Sequence, residues 1–211
     1  WIAKKEFLND ETSKIFQDPD RYMGKGEVIK KEAGHFIVLL RIDKNFSLII
    51  KKYQIKSTLH FLRKFFLRSR ANMSWLASHW LNLVGIQTVN HIGIIERFNA
   101  LGLKDSYLIT EQNLGIRMDK INFDKRSATL IANRFAAFYK RLAWIDFSHG
   151  DAKSSNFILH NDRLLVFDLD ISRKRFFKYI FKRKILKDIR RTLKSFNKNK
   201  TIEKLLVKRL S

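Results

Sequence analysis

Cysteine is absent from this 211-residue chain, which excludes a disulfide framework, a thiolate metal site and a thiol nucleophile, and allows a reducing cytosolic location. A single Pro and eight Gly leave no material for a Pro-rich or Gly/Ser-rich linker. Long apolar runs are missing too. Stretches such as Phe36 to Leu40 and Leu164 to Phe167 fall far short of the roughly 20 residues that span a bilayer, so no transmembrane helix is expected. The chain opens on Trp1, not Met, with no basic-then-apolar leader, and the expectation is a truncated amino terminus. Acids are scarce: 20 Asp and Glu face 43 Lys and Arg, a formal net charge of +23. Such a field attracts polyanions, whether nucleic acid, an anionic leaflet or a phosphorylated glycolipid, and does not choose among them.

What is present is a compact, core-forming composition, 45% hydrophobic with 18 Phe. Strand patterns run over Glu27 to Lys31, Phe36 to Ile42 and Phe46 to Tyr53, separated by turn-like residues. Over Ser69 to Val84, Ala71, Trp75, Leu76, Trp80, Leu83 and Val84 fall near one helical face, with Gly85 placed to cap it. Ile92 to Ile95 and Tyr107 to Ile109 read as further strands, and Thr110 to Asn113 as a connector. Ile131, Phe135, Phe138 and Leu142 recur at helical spacing between Ser127 and Trp144. Phe157 to Leu159 and Leu164 to Phe167 flank a turn, giving a short hairpin, and the remainder is basic and helical. The order predicts an α+β fold in two lobes.

The dense chemistry lies in His149-Gly150-Asp151-Ala152-Lys153-Ser154-Ser155-Asn156 and in Val166-Phe167-Asp168-Leu169-Asp170. Phosphoryl transfer needs an acid to orient or deprotonate an acceptor hydroxyl, oxygen ligands for magnesium and a cation near the phosphates. Asp151 stands five positions before Asn156, the spacing of a kinase catalytic loop in which the Asp receives the proton and the Asn binds metal. Asp168 ends an apolar run and fits a second metal ligand, with Asp170 a weaker candidate. Lys153 can offset charge on the transferred group. Upstream, Phe46 to Tyr53 ends in Lys51 and Lys52, either of which can grip nucleotide phosphates; alternation sends them to opposite faces, and Lys51 is favoured. His149 reads as a structural residue that holds the loop.

These segments resemble the lipopolysaccharide core kinase family, which phosphorylates heptose or Kdo. The resemblance rests on Ile49 to Tyr53, Ser69-Arg70-Ala71 with Trp75, Leu83 to Thr88, Ser106 to Glu111 and the His149 to Asn156 loop, covering roughly residues 25 to 175. It implies a protein-kinase-like two-lobe fold, with a small antiparallel-sheet N-lobe over residues 1–111 and a mainly helical C-lobe over 112–211. It also implies an alcohol-group phosphotransferase using ATP and Mg2+, with Thr110 and Glu111 bordering the adenine site. The implied acceptor is the lipopolysaccharide core with lipid A, and the implied location is cytoplasmic, peripheral on the inner membrane. Two departures stand out: the turn at Ala33-Gly34-His35 has one Gly, and Ser69 to Val84 holds no acid, which leaves the partner of Lys51 open between Glu96, another acidic residue and a different way of holding the lysine.

Ile171 to Ser211 carries 16 Lys and Arg against two acids, Asp188 and Glu203, a net of +14. Leu186, Ile189, Leu193 and Phe196 form an apolar stripe through it. That combination fits a terminal helix packed on the second lobe, an anionic-membrane contact, or both. Lys51 to Arg70, with seven basic residues and no acid, extends the basic surface. The competing readings are kinase chemistry on a protein or small-molecule acceptor, and an inactive basic polyanion-binding module. No helix-turn-helix, zinc or RNA-recognition signature favours nucleic acid.

Overall fold

The computed structural model describes residues 1–32, 34–54, 68–100, 102–196 and 200–210. They form two compact units, one of Trp1–Leu76 with Val89–Asn113, the other of Ala77–Thr88 with Leu114–Ser211.

The first unit is built on a six-stranded antiparallel sheet of order β1-β5-β6-β4-β3-β2. Its strands are β1 (Ile2–Ala3), β2 (Glu27–Glu32), β3 (His35–Arg41), β4 (Ser47–Gln54), β5 (His91–Asn99) and β6 (Gly102–Glu111). Alternation along β3, β4 and β6 sends Val38, Leu40, Leu48, Ile50, Tyr107 and Ile109 to one face, where Ile15, Phe16 and Met23 cover them. The opposite face packs Tyr53, Ile94 and Leu108 on Ala71 and Trp75. A fully buried side chain of this kind contributes about 1.5–3 kcal/mol. Edge strand β2 is exposed along its whole length and carries Glu27, Lys30, Lys31 and Glu32, charges that discourage pairing with another chain.

The residues that cover the first face come from α1 (Asp10–Gln17) and α2 (Pro19–Met23), where the sequence reading assigns no element. Two short helices leave too few turns for an apolar period. Their signal is in the caps instead: Thr12 N–H donates to Asn9 Oδ1 at 2.8 Å and Asn9 N–H to Thr12 Oγ1 at 3.0 Å, and Asp18 caps α2 ahead of Pro19.

Helix α3 (Arg70–Leu83) matches its expected span and ends before Gly85, whose φ of +72° suits a left-handed cap. Its inward positions are Ala71, Ser74, Trp75, Ala77, Ser78 and Leu81; Trp80 and Leu83, expected on that face, are exposed. The other correction concerns β6, which continues through Thr110 and Glu111. Those polar residues pair with Ile49 and Leu48 of β4, so ladder bonds extend the strand past its apolar run.

In the second unit α4 (Lys125–Trp144), capped by Asp124 through Ser127 N–H at 2.7 Å, buries Ile131, Phe135, Phe138 and Leu142 as its period requires. Phe135 meets Phe157 and Phe196 edge-on, with ring centroids 4.8 and 5.4 Å apart. A sheet of β10-β9-β7 uses β7 (Ile116–Arg117), β9 (Phe157–His160) and β10 (Arg163–Val166); a second pairs β8 (Phe147–Ser148) with β11 (Arg173–Lys174). The expected hairpin turns at Asn161 and Asp162, both at positive φ. Helices α5 (Lys178–Ser195) and α6 (Lys200–Leu210) complete the unit. Ile189, Leu193 and Phe196 of the expected stripe pack inward, joined by Phe181 and Ile185, whereas Leu186 points out, because the buried stripe runs one position earlier there. Three of the seven basic residues of the expected cluster Lys51 to Arg70, namely Lys56, Arg63 and Lys64, and the turn residue Ala33 lie outside the described residues. Among the described residues no helix is long and apolar enough to cross a membrane.

Candidate active site

Residues 149–156 leave β8 and fold back on themselves. Gly150 has φ +89°, and a Cβ there would lie 3.0 Å from Ile171 side-chain atoms, so the conformation favours glycine and the space for a side chain is tight. Lys153 N–H donates to Asp151 O at 2.9 Å and Asn156 N–H to Lys153 O at 2.8 Å, a tight turn that points Asn156 back at Asp151. The Asn156 amide nitrogen donates to Asp151 O at 2.9 Å and approaches Asp151 Oδ2 at 3.3 Å. With its NH2 so committed, the amide carbonyl is left as the acceptor end of that side chain. Lys153 Nζ stands 3.2 Å from Asp151 Oδ2. The five-residue step therefore produces a real juxtaposition of Asp151, Lys153 and Asn156.

Asp168 is brought to the same place by the backbone, since Phe167 N–H donates to Asn156 O at 3.1 Å. Its φ is +60°. Left-handed geometry is costly for a non-glycine residue and tends to be retained where position matters. Asp170 is buried.

His149 is buried as well. Its Nδ1 accepts from Asp151 N–H at 3.2 Å and its Nε2 faces Phe167 O at 3.3 Å, partners that assign a neutral ring protonated on Nε2. Burial pushes its pKa below the usual value, outweighing the attraction of Asp188, Asp168 and Asp151. The ring thus ties the Asp151 backbone to the Phe167–Asp168 segment, the structural part expected of it.

Sequence reasoning missed what lies under this loop. Asp188, Arg191, Thr192 and Ser195 recur at i, i+3, i+4 and i+7, one face of α5, and each bonds a successive part of the loop. Both Asp188 oxygens accept from Gly150 N–H, at 3.0 and 2.9 Å. Arg191 donates to Gly150 O at 2.9 Å and to Asp151 Oδ1 at 2.6 Å. Thr192 Oγ1 donates to Ala152 O at 2.6 Å, and Ser195 Oγ accepts from Ser154 N–H at 2.8 Å. The signal was there in outline: in a helix otherwise basic or apolar, one acid and two small hydroxyls repeat at helical spacing.

In the first unit Lys51, Thr110 and Glu111 sit on adjacent strands, with Lys51 opposite Leu108 and Thr110 opposite Ile49. Thr110 is buried; Glu111 Oε2 accepts from the Asn90 amide at 3.0 Å. Lys51 lies on the sheet face that packs on α3, its Nζ 5.1 Å from the Tyr53 ring centroid. Counting along the ladders puts Glu96 on that face too. Lys52, on the other face, is held by Asp20 at 2.8 Å, 3.8 Å from Asp105 and over the Tyr107 ring. Burial opposes ionisation of both Lys52 and Asp20, yet their mutual hydrogen bond and Tyr107 win, raising the lysine pKa and lowering that of the carboxyl. Burial beside Asp20 pushes the Tyr107 hydroxyl up to about 12. Lys52 therefore ties α2 to the sheet.

Among the described residues no group of three or more His, Cys, Asp or Glu could hold a metal alone. Asn156 and Asp168 instead offer two hard oxygen donors, a set that suits Mg2+, which uses one or two protein ligands and completes its shell with water and phosphate oxygens.

An antiparallel sheet unit followed by a helical unit, with an Asp-x4-Asn loop opening the hairpin of the second, defines the two-lobe, kinase-like α+β class. No family model matches the chain, and no curated protein matches it. Among solved structures it is similar to WaaP in complex with acyl carrier protein, with a TM-score of 0.68 over 95% of this chain and 88% of that one. Identity is 17%, so the likeness is one of fold.

Proposed function

We propose that the protein is an ATP-dependent phosphotransferase whose acceptor is a sugar hydroxyl, heptose or Kdo, of the lipopolysaccharide inner core. One observation carries the reading: Asp151 and Asn156 are hydrogen-bonded across a five-residue turn, and Asp168 follows the residue bonded to Asn156. That is the arrangement phosphoryl transfer requires, a proton acceptor beside two oxygen ligands.

In this reading the sheet unit binds the nucleotide and the helical unit holds the chemistry. Asp151 orients the acceptor hydroxyl and accepts its proton as the new O–P bond forms. Lys153, half exposed beside that carboxylate, meets the charge that gathers on the transferred phosphoryl. Arg191 and Asp188 fix the loop from below, so that the carboxylate does not have to reorganise during the reaction. Asn156 and Asp168 are the residues that would hold Mg2+, which when bound neutralises phosphate charge. Lys51 grips the phosphates, and Thr110 and Glu111 border the base; Lys52 is already committed to Asp20.

The acceptor class comes from the sequence resemblance to lipopolysaccharide core kinases, together with the +23 charge. The test is thermal unfolding with ATP, with and without Mg2+. Ligand at 100 times its Kd adds about 2.7 kcal/mol, so a rise in Tm that needs Mg2+ and is lost in Asp168→Ala is expected. No shift with saturating Mg-ATP would sink the proposal.

A further inference from the structure

The chain that leaves the candidate catalytic loop carries three aromatic side chains bare to solvent. Phe176, Phe177 and Tyr179 are 87, 71 and 78% exposed. Single exposed apolar residues are ordinary, but a contiguous set marks an interaction site. They are not on a loose segment. Just before them Arg173 and Lys174 pair with Ser148 and Phe147, and Arg175 donates from its backbone to Asp146 O at 2.8 Å and from Nε to Ser148 Oγ at 2.9 Å. Phe177 leads directly into α5, which carries Tyr179 in its first turn and is pinned to the loop through Asp188 and Arg191.

The outward face of α5 continues the pattern. Tyr179, Lys182, Arg183, Leu186 and Arg190 share one exposed stripe. Trp80, half exposed under Lys174 Nζ, adjoins β11. No exposed acid interrupts residues 170–195, because Asp170 and Asp188 are both buried. Apolar side chains flanked by cations, without acids, form the surface of an interfacial helix. Leu186 offers no ring for base stacking, and hydrocarbon satisfies it as well as it does the phenyl groups.

We propose that Phe176, Phe177 and Tyr179, with the basic outer face of α5, form an anchor that enters an anionic lipid bilayer. The aromatic rings go into the interface, and Lys182, Arg183 and Arg190 meet the headgroups, each multiplying the partition by about fivefold. The stripe Leu186, Ile189, Leu193 and Phe196 mostly packs inward, as expected of a terminal helix packed on its lobe, and leaves the basic outer face of α5 to the lipid. That the anchor presents Asp151 to a lipid-borne acceptor rests on the proposed function; the lipid contact does not.

The test is sedimentation of the full chain with vesicles, without ATP or acceptor, so that its outcome is independent of kinase activity. The wild type is expected to bind equimolar phosphatidylcholine and phosphatidylglycerol and to ignore phosphatidylcholine alone. Phe176→Ser with Phe177→Ser should weaken binding by about tenfold or more, with an unchanged circular dichroism spectrum. Lys182→Gln with Arg183→Gln should weaken it and flatten its salt dependence. Wild-type binding that ignores phosphatidylglycerol, a double Phe variant that binds like wild type, or vesicles displaced by a single-stranded oligonucleotide with no effect of the Phe changes would each overturn the proposal.

Discussion

Asp188→Ala removes the one side chain that receives the Gly150 N–H. Both carboxylate oxygens lie within 3.0 Å of that nitrogen and Asp188 is 1% exposed, so water does not readily replace them. An unpaired buried donor costs about 1–3 kcal/mol, and the space left adds to it. Asp188→Asn is the informative control. It keeps one acceptor and loses the charge-assisted part of the bond, about 1 kcal/mol, while relieving some of the desolvation that a buried ion carries. We expect the Ala variant to lose about 2–3 kcal/mol in urea unfolding followed by circular dichroism, and the Asn variant about 1 kcal/mol or less. Turnover should fall further than stability, by about 100-fold for Ala, because a loop shifted by about 1 Å misplaces Asp151. An Ala variant within about 0.5 kcal/mol of wild type, the spread of ordinary surface substitutions, would refute the idea that α5 holds the loop.

Acid should weaken the loop through His149. Its folded pKa is depressed, so the stability that depends on the neutral ring is complete above the unfolded value of about 6.5 and is lost as pH falls below it, while the unfolded chain takes up the proton first. Urea midpoints measured between pH 7.5 and 5.5 should decline more in wild type than in His149→Gln. Lys51→Met should abolish stabilisation by Mg-ATP at little cost to the apo fold. Lys52→Met should do the reverse, lowering stability by about 1–2 kcal/mol through the Asp20 hydrogen bond while keeping the ATP response; matching thermal shifts in both variants would contradict the division of labour.

Much of the architecture was legible because it follows strict periods. Ile131, Phe135, Phe138 and Leu142 face the core as their spacing requires, and Asn161-Asp162 turns the hairpin. The approach of Asn156 to Asp151 followed from spacing alone. What was not legible depends on contacts distant in sequence. Short α1 and α2 are stabilised by the sheet they cover, and Thr110 and Glu111 stay extended because β4 pairs with them. The faces of Lys51 and Lys52 could not be told apart from alternation; Asp20, 32 residues upstream of Lys52, separates them. The supporting row on α5 was hidden because a helix face that binds a loop is polar, and polar residues in a basic helix look like solvent-facing ones.

The central claim is that Asp151 takes the proton from an acceptor hydroxyl. The most direct measurement is phosphoryl transfer from ATP to delipidated lipopolysaccharide core, read by mass, for wild type and Asp151→Ala at matched folding. The account predicts Mg2+-dependent addition of one phosphoryl group by the wild type and a loss of about 100-fold or more in the variant. Undiminished turnover in Asp151→Ala would contradict it.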